Sequence, residues 1–459
     1  MKLLTKIGAV LLVSILLISS IYVVSFMESE KPESNNSGNN GRTNDNNGNN
    51  SNNNSNNSND NNNNSNQNFT HIVFVEEAAA TWCSKCPVSS DVLYKKFNSS
   101  DKPDFCYINM VEDKNTKAHN QVFNDYNLIG YPTVFIDGGY RVIGGSIDFE
   151  KNFNEKLLEA KNRQTPKIIL SLKTKWNESR KELTATVNIE NKETTTYKGH
   201  IKVYVTEINS PWSDWNGNPF HFAFIDYAID ENIEIQSNKN QTITKTWDAN
   251  NTGYSGVYPE NLWLVAAVFN QKSTKEYSDP PQNEHQFNAY YADATTTARV
   301  EEGVLPPVIG ISYPKCGMSY IFGKEKKRSF TGEFLFSKER IILLKALIQY
   351  DLGNSELYWK LYREGRLNDI AFCANIFGKI TIKTNVQAEA GIEKVEFIIK
   401  GRLGQVNETV YKEPYEWTWD TFAFGRYTIV VNLYDKEGKT STDSINVIAF
   451  INLMGLFSS

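Results

Sequence analysis

The chain has 459 residues, 40% of them hydrophobic and 22% charged, with a formal net charge of −5. That length is more than one ordinary domain needs and allows two or three with full cores. The mild negative charge, with no basic stripe, argues against a nucleic-acid partner, and five cysteines are too few for a disulfide-scaffolded fold.

Lys2 and Lys6 precede an apolar run from Ile7 to Met27 that only Gly and Ser interrupt. This run is long enough to span a hydrocarbon layer, so residues 1–27 are expected to be a signal anchor, a single transmembrane helix with its basic end inside. The bulk of the chain would then lie outside the cytoplasm at the cell membrane. If the segment is instead a cleaved signal peptide, the protein is secreted. Residues 28–68 form an Asn-rich tract with almost nothing to bury, which reads as a disordered linker. As a flexible coil, about 40 residues span roughly 35 Å. Glycosylation-type triplets at Asn98, Asn177, Asn240, Asn250 and Asn407 fit an exported glycoprotein.

From residue 69 to 163, strand and helix patterns alternate. Strands are expected at His71 to Val75, Phe105 to Val111 and Thr133 to Asp137, with a fourth running through Ile143. Helices are expected at Val88 to Asn98, Lys117 to Tyr126 and Asp148 to Lys161. That order predicts an α/β layer. Residues 167–300 change to alternating β runs (Ile168 to Lys175, Leu183 to Ile189, Ile201 to Ile208, Thr242 to Trp247, Leu262 to Phe269), the pattern of an all-β sandwich. After Pro306-Pro307, residues 306–450 predict a second sandwich, with an insertion of partly helical pattern at about 325–379.

Chemistry concentrates in Trp82-Cys83-Ser84-Lys85-Cys86-Pro87, which follows a strand and opens a helix. Unpaired amides and the positive dipole end at a helix start stabilise a thiolate, which makes Cys83 the nucleophile. Cys86, one turn on, is placed to resolve a mixed disulfide. A static Cys83–Cys86 bridge is the bland alternative. Half of a zinc site is another, but Cys316 and Cys373 stand isolated and the five histidines show no ligand pairing. No metal and no cofactor is expected. Cys106, on an apolar strand, reads as a small core residue.

With Gly130-Tyr131-Pro132-Thr133-Val134 added, the segment resembles thioredoxin-fold proteins. The resemblance covers about a fifth of the chain. It implies a thioredoxin-like fold of the exported thiol-disulfide oxidoreductase type, a cis bond before Pro132, and substrate chains received against Trp82, Tyr131, Pro132 and Thr133. Its partners would be thiols and disulfides of exported proteins. It also matches Glu77, six residues before Cys83, to the family's buried acid, which helps take the proton from the resolving cysteine; the alternative is that Glu76 or Glu77 ends a strand at the surface. The motifs Ala390 to Phe397, Pro414 to Asp420 and Tyr434 to Gly438 resemble an immunoglobulin-like repeat of archaeal and bacterial surface proteins. The expected fold class is therefore multidomain: a thioredoxin-like α/β domain followed by two immunoglobulin-like β-sandwiches. Two functions are open, a membrane-anchored thiol-disulfide oxidoreductase and a cell-surface binding or adhesion protein in which the thioredoxin-like module is structural. Trp212, Trp215 and Phe220 are candidates for an exposed aromatic patch, although ordinary packing explains them as well.

Overall fold

The structure, a computed structural model, describes residues 71–99, 103–145, 148–252, 256–326, 374–402 and 404–452. The predicted anchor, the linker and all but the edges of the predicted insertion lie outside these residues. Among the described residues no helix is long and apolar enough to cross a membrane.

Strand β1 (Val73–Ala79) leads to α1 (Cys86–Asn98), then β2 (Phe105–Val111), α2 (Thr116–Asn120), β3 (Thr133–Ile136), β4 (Arg141–Gly144) and α3 (Phe149–Lys161). β2 pairs parallel to β1, β3 antiparallel to β1, and β4 antiparallel to β3. Both β1 and β2 are buried along their whole length, as expected for strands covered on two faces. The predicted helix through Tyr126 stops early: α2 passes at Gln121–Asp125 into a π-helical turn. The side chains of Gln121 and Tyr126 both bond the buried Glu76 carboxyl. A widened turn is a common way for a helix to bring two such donors to one acceptor.

The β-rich middle adds β5 (Ile168–Asn177), β6 (Glu182–Asn191), β7 (Tyr197–Ser213), β8 (Pro219–Ile235), β9 (Asn240–Asp248), β10 (Leu262–Tyr277) and β11 (Gln286–Arg299). β5, β6 and β9 form one antiparallel sheet. The others pack on that sheet, Leu183, Val187 and Ile243 sharing a core with Ile201, Val203 and Leu264. They also continue the first segment's sheet, giving the eight-stranded order β11-β10-β7-β8-β2-β1-β3-β4. The join is one parallel pairing, Asn109 with Ala223, reinforced by side-chain amides: Asn109 donates to His221 O at 2.9 Å, and Asn115 to Phe224 O and Ile225 O at 2.8 Å.

Packing crosses the step expected at 163–167. Phe74, Ile108 and Phe135 share one buried cluster with Tyr204, Phe224, Val265 and Phe287. A charged network repeats the crossing: Asp137 accepts from Phe74 N at 3.0 Å and from Arg163 at 3.1 Å. Arg163 also reaches Asp293 at 3.3 Å, and Asp293 accepts from Tyr197 at 2.9 Å and Asn270 at 2.7 Å. Segments 73–161 and 168–299 therefore share part of their core, beside a cluster that lies wholly within the second.

The C-terminal part is a two-sheet sandwich. Strands Val308–Tyr313, Ile380–Gln387 and Glu416–Trp419 form one sheet; the other has seven strands, centred on Ile392–Gly401, Ala423–Asp435 and Thr440–Ile451. Alternation sets the fold here, because Val395, Phe397, Ile399, Ile429, Val431 and Leu433 turn to one core with Trp419. Ala374–Phe377, placed within the insertion by the sequence pattern, is a strand of this sheet. The turn after Asp435 closes with Gly438 at φ 82°, which glycine adopts without strain.

Candidate functional site

Cys83 and Cys86 are joined by a disulfide, with Cα atoms 5.5 Å apart. The helix starts at Cys86 rather than at Cys83, and its N-cap, Lys85, provides no side-chain acceptor. Cys83 Sγ takes that place, accepting from the Cys86 backbone amide at 3.0 Å. One backbone amide of the first turn is thus aimed at Cys83 Sγ. Lys85 and Ser84 are exposed, whereas Cys83 is 5% exposed and Cys86 fully buried.

Both glutamates of β1 point inward, so neither ends a strand at the surface. Successive strand residues face opposite sides. Glu77 faces α1, where it accepts from Ser89, and from Ser90 at 2.9 Å. Burial pushes its carboxyl up to about 8, the two serines oppose that shift, and the Asp214 carboxylate adds to it. Burial therefore favours the protonated form of Glu77. The Ser89 hydroxyl also lies 3.0 Å from Cys86 O, which links Glu77 to the helix turn that carries Cys86. Glu76 faces the π-helical turn; burial raises it to about 7, opposed chiefly by its bond from Tyr126.

The Tyr131–Pro132 bond is cis. Tyr131 packs edge-on against Trp82, ring centres 5.5 Å apart, which brings this loop beside the cysteines. Thr133 is buried, and its hydroxyl donates to Gly130 O at 2.8 Å, a bond within the loop. Cys106 is buried, and burial drives its thiol far up, so it is an inert core residue. His119 bonds Glu112 at 2.9 Å. Among the described residues no group of three His, Cys, Asp or Glu is arranged to hold a metal. Cys373 lies outside the described residues.

Of the aromatics weighed as a patch or as ordinary packing, Phe220 is fully buried and, with Ala223, shares one buried cluster with Cys83 and Cys86, against which Trp212 packs. Trp215 is half-buried and donates from its indole to Cys316 O at 3.1 Å. These aromatics lie on strand ends and a turn whose partners are more than a hundred residues away, so no local pattern announces them. Glu207, buried on β7 with its carboxyl pushed up to about 8 by burial alone, also gave no sequence signal.

Residues 373–445 match the family described as bacterial Ig domain. The C-terminal sandwich is an Ig-like domain. No curated protein matches the chain. Among solved structures, the fibronectin(III)-like modules of Clostridium thermocellum CbhA match at 12% identity over 62% of this chain and 95% of theirs, TM-score 0.19. Red sea bream transglutaminase matches at 8% identity over 69% of this chain and 37% of its own, TM-score 0.19. A Listeria innocua β-glucosidase matches at 16% over 30% and 17%, TM-score 0.18. These likenesses are too weak to bear on fold or function. The protein is mostly β, with several sheets, and an Ig-like domain fits a binding or structural role at a cell surface.

Proposed function

We propose that the chain is an exported surface protein with a binding or structural role, in which a thioredoxin-like module at 73–161 is built into the β framework. The N-terminal apolar run would hold it at the membrane, with the described residues outside the cytoplasm. Support for the module comes from the β2-β1-β3-β4 strand order, the cysteine pair at the start of α1, and the loop at Tyr131-Pro132 beside it.

The observation that carries the structural role is the burial of the disulfide. Exchange needs a thiolate to reach one sulfur, and both cysteines are buried in one cluster with Phe220 and Ala223. Redox titration of the purified extracytoplasmic fragment tests this: the pair is expected to stay oxidised below roughly −300 mV, as structural bridges do. A midpoint in the range of about −120 to −270 mV would place it with catalytic couples instead.

A second reading, thiol-disulfide exchange, is favoured by the amide on Cys83 Sγ and by the buried Glu77 carboxyl beneath α1, which burial makes a stronger proton acceptor when ionised. In the reduced protein, Cys83 thiolate would attack a partner disulfide and release one partner thiolate. Cys86, giving its proton to Glu77 in its ionised form, would then attack the mixed disulfide, giving the internal bridge and a second partner thiolate. In that case Cys86→Ser accumulates mixed disulfides on Cys83 and Cys83→Ser does not. Equal trapping by both variants would exclude this mechanism.

A further inference from the structure

The far end of the β7–β8 hairpin touches two things at once. On one side Phe220 belongs to the buried cluster that holds Cys83 and Cys86, Trp212 packs against that cluster, and Asp214 lies close enough to Glu77 to raise it. On the other side the same turn seats on the Ig-like domain. Ser213 donates to Asp443 at 2.8 Å, and the Ile311 amide donates to the same carboxylate oxygen at 2.7 Å. Gly310 lies so near the turn that a Cβ there would stand 2.3 Å from Gly217 O and 2.7 Å from Ser213 Cβ. Gly217 has φ 80°, so glycine is needed on both sides of this contact.

The hairpin end is also mounted on irregular backbone. Phe222, a bulky residue, is held at φ 53°, and the β7–β8 register shifts between Asn209 and Ser213. Left-handed backbone at such a residue is strained and persists only where its surroundings impose it. Here the Phe222 ring is fixed between Phe97, Tyr107 and Trp263.

We infer that the β7–β8 hairpin end is a cap that selects which thiols can reach Cys83, and that the Ig-like domain is the latch holding the cap in place. With the latch closed, only a low-molecular-weight thiol reaches the residual opening at Cys83, beside exposed Ser84 and Lys85. A folded protein's thiol is excluded until the cap shifts. This inference deepens the exchange reading, not the structural one, and rests on the pair being reducible in the range of the catalytic couples. The step is balanced: the small thiolate bonds to Cys83 Sγ, the S–S bond breaks, and its electron pair leaves on Cys86 Sγ, which takes a proton. The small thiol is oxidised into the mixed disulfide while Cys86 is reduced.

Two variants open the cap by different routes. Gly310→Ala places a methyl group against the Gly217 carbonyl and prises the latch. Trp212→Ala removes part of the cover and leaves the latch. In the full chain, reduction of the bridge would be followed by labelling of Cys83 and Cys86 and mass spectrometry, with 2-mercaptoethanol as the small thiol and a reduced thioredoxin as the protein thiol. Circular dichroism confirms that each variant is folded. The wild type is expected to react with the small thiol and to discriminate against the protein. Either variant should raise the protein-thiol rate on the order of tenfold or more while changing the small-thiol rate much less. Equal access for both thiols in the wild type, or protein-thiol rates unchanged in both folded variants, overturns the cap. A wild-type bridge that neither thiol reduces, in the variants as in the wild type, overturns it as well. The exchange reading fails separately, by its own trapping experiment, without touching these rate ratios.

Discussion

β1 carries two carboxyls, Glu76 and Glu77, one to each face of the sheet, and both are fully buried and held by hydroxyl or amide donors. The Ig-like sandwich is filled in the opposite way. Trp419, Phe397, Ile429 and Leu433 fill the middle of its core, and its buried carboxyl, Asp435, sits at a strand end, where it accepts from the Glu437 and Lys439 amides. An apolar core gains stability with each buried group, whereas a buried carboxyl costs stability unless it is neutral or well bonded. The difference suggests that the sandwich is built for stability, while the region around the cysteines gives some of it up to keep titratable groups inside.

The largest effect should come from the sandwich. Trp419→Ala removes a side chain that is 1% exposed and packed edge-on against Tyr427, and is expected to cost about 3–5 kcal/mol by denaturant unfolding. A loss under about 1 kcal/mol would mean that this core is not the stabilising element. Next is the network that ties the first segment to the β-rich middle. Arg163→Met leaves Asp137 and Asp293 without their guanidinium and should cost about 3 kcal/mol, because it strands buried charge. Reversion toward wild type in the triple change with Asp137→Asn and Asp293→Asn would assign that cost to the carboxylates rather than to lost packing.

Glu77→Gln tests the ionisable side of the comparison. The Glu77 carboxyl rises from 4.5 to about 8 on folding, so between those values the folded chain binds a proton that the unfolded chain has released. Stability is therefore fully present below about 4.5 and falls as pH rises toward 8. Gln removes that dependence and should flatten the stability profile by up to about 1.4 kcal/mol per pH unit in the window. An unchanged slope would mean that Glu77 is not buried as a neutral acid.

How much of this was legible in the sequence depended on range. The strands Ile392–Gly401 and Ala423–Asp435 could be read because one face is buried and the apolar residues alternate. β1 gave no such signal. Both its faces are covered, so alternation disappears and the inward direction of Glu77 could not be told from a surface end. The cysteine spacing marked a pair but not its depth, since the cover comes from Phe220 and Trp212, more than a hundred residues away. The continuous eight-stranded sheet was hidden for the same reason: its join is one residue pairing and a few Asn side-chain amides, and neither has a periodicity. The π-helical turn at Gln121–Asp125 follows from Glu76 needing donors, which only the assembled sheet reveals.

His221 gives the smallest of these effects, and with the opposite sign. Its ring stacks on Tyr94, centres 3.5 Å apart, and its Nδ1 lies 3.1 Å from Ile208 O. Burial lowers it from 6.5 to about 4, the carbonyl opposing this only in part. In that interval the unfolded chain binds a proton that the folded chain refuses, so stability is present above about 6.5 and is lost as pH falls toward 4. Glu77, Glu76 and Glu207 all pull the other way across most of the same range, and the wild-type profile there is a net slope that hides the His221 contribution. His221→Phe keeps a flat ring against Tyr94 and removes the titration. It should raise stability at pH 4 relative to pH 7 by about 2 kcal/mol against wild type. In the double variant with Glu77→Gln the two changes should add, since no bond connects the residues. If His221→Phe leaves the acid limb unchanged, the ring is hydrated in solution, and the β8 end on which His221 and Phe220 both sit is looser than a cover over the disulfide requires.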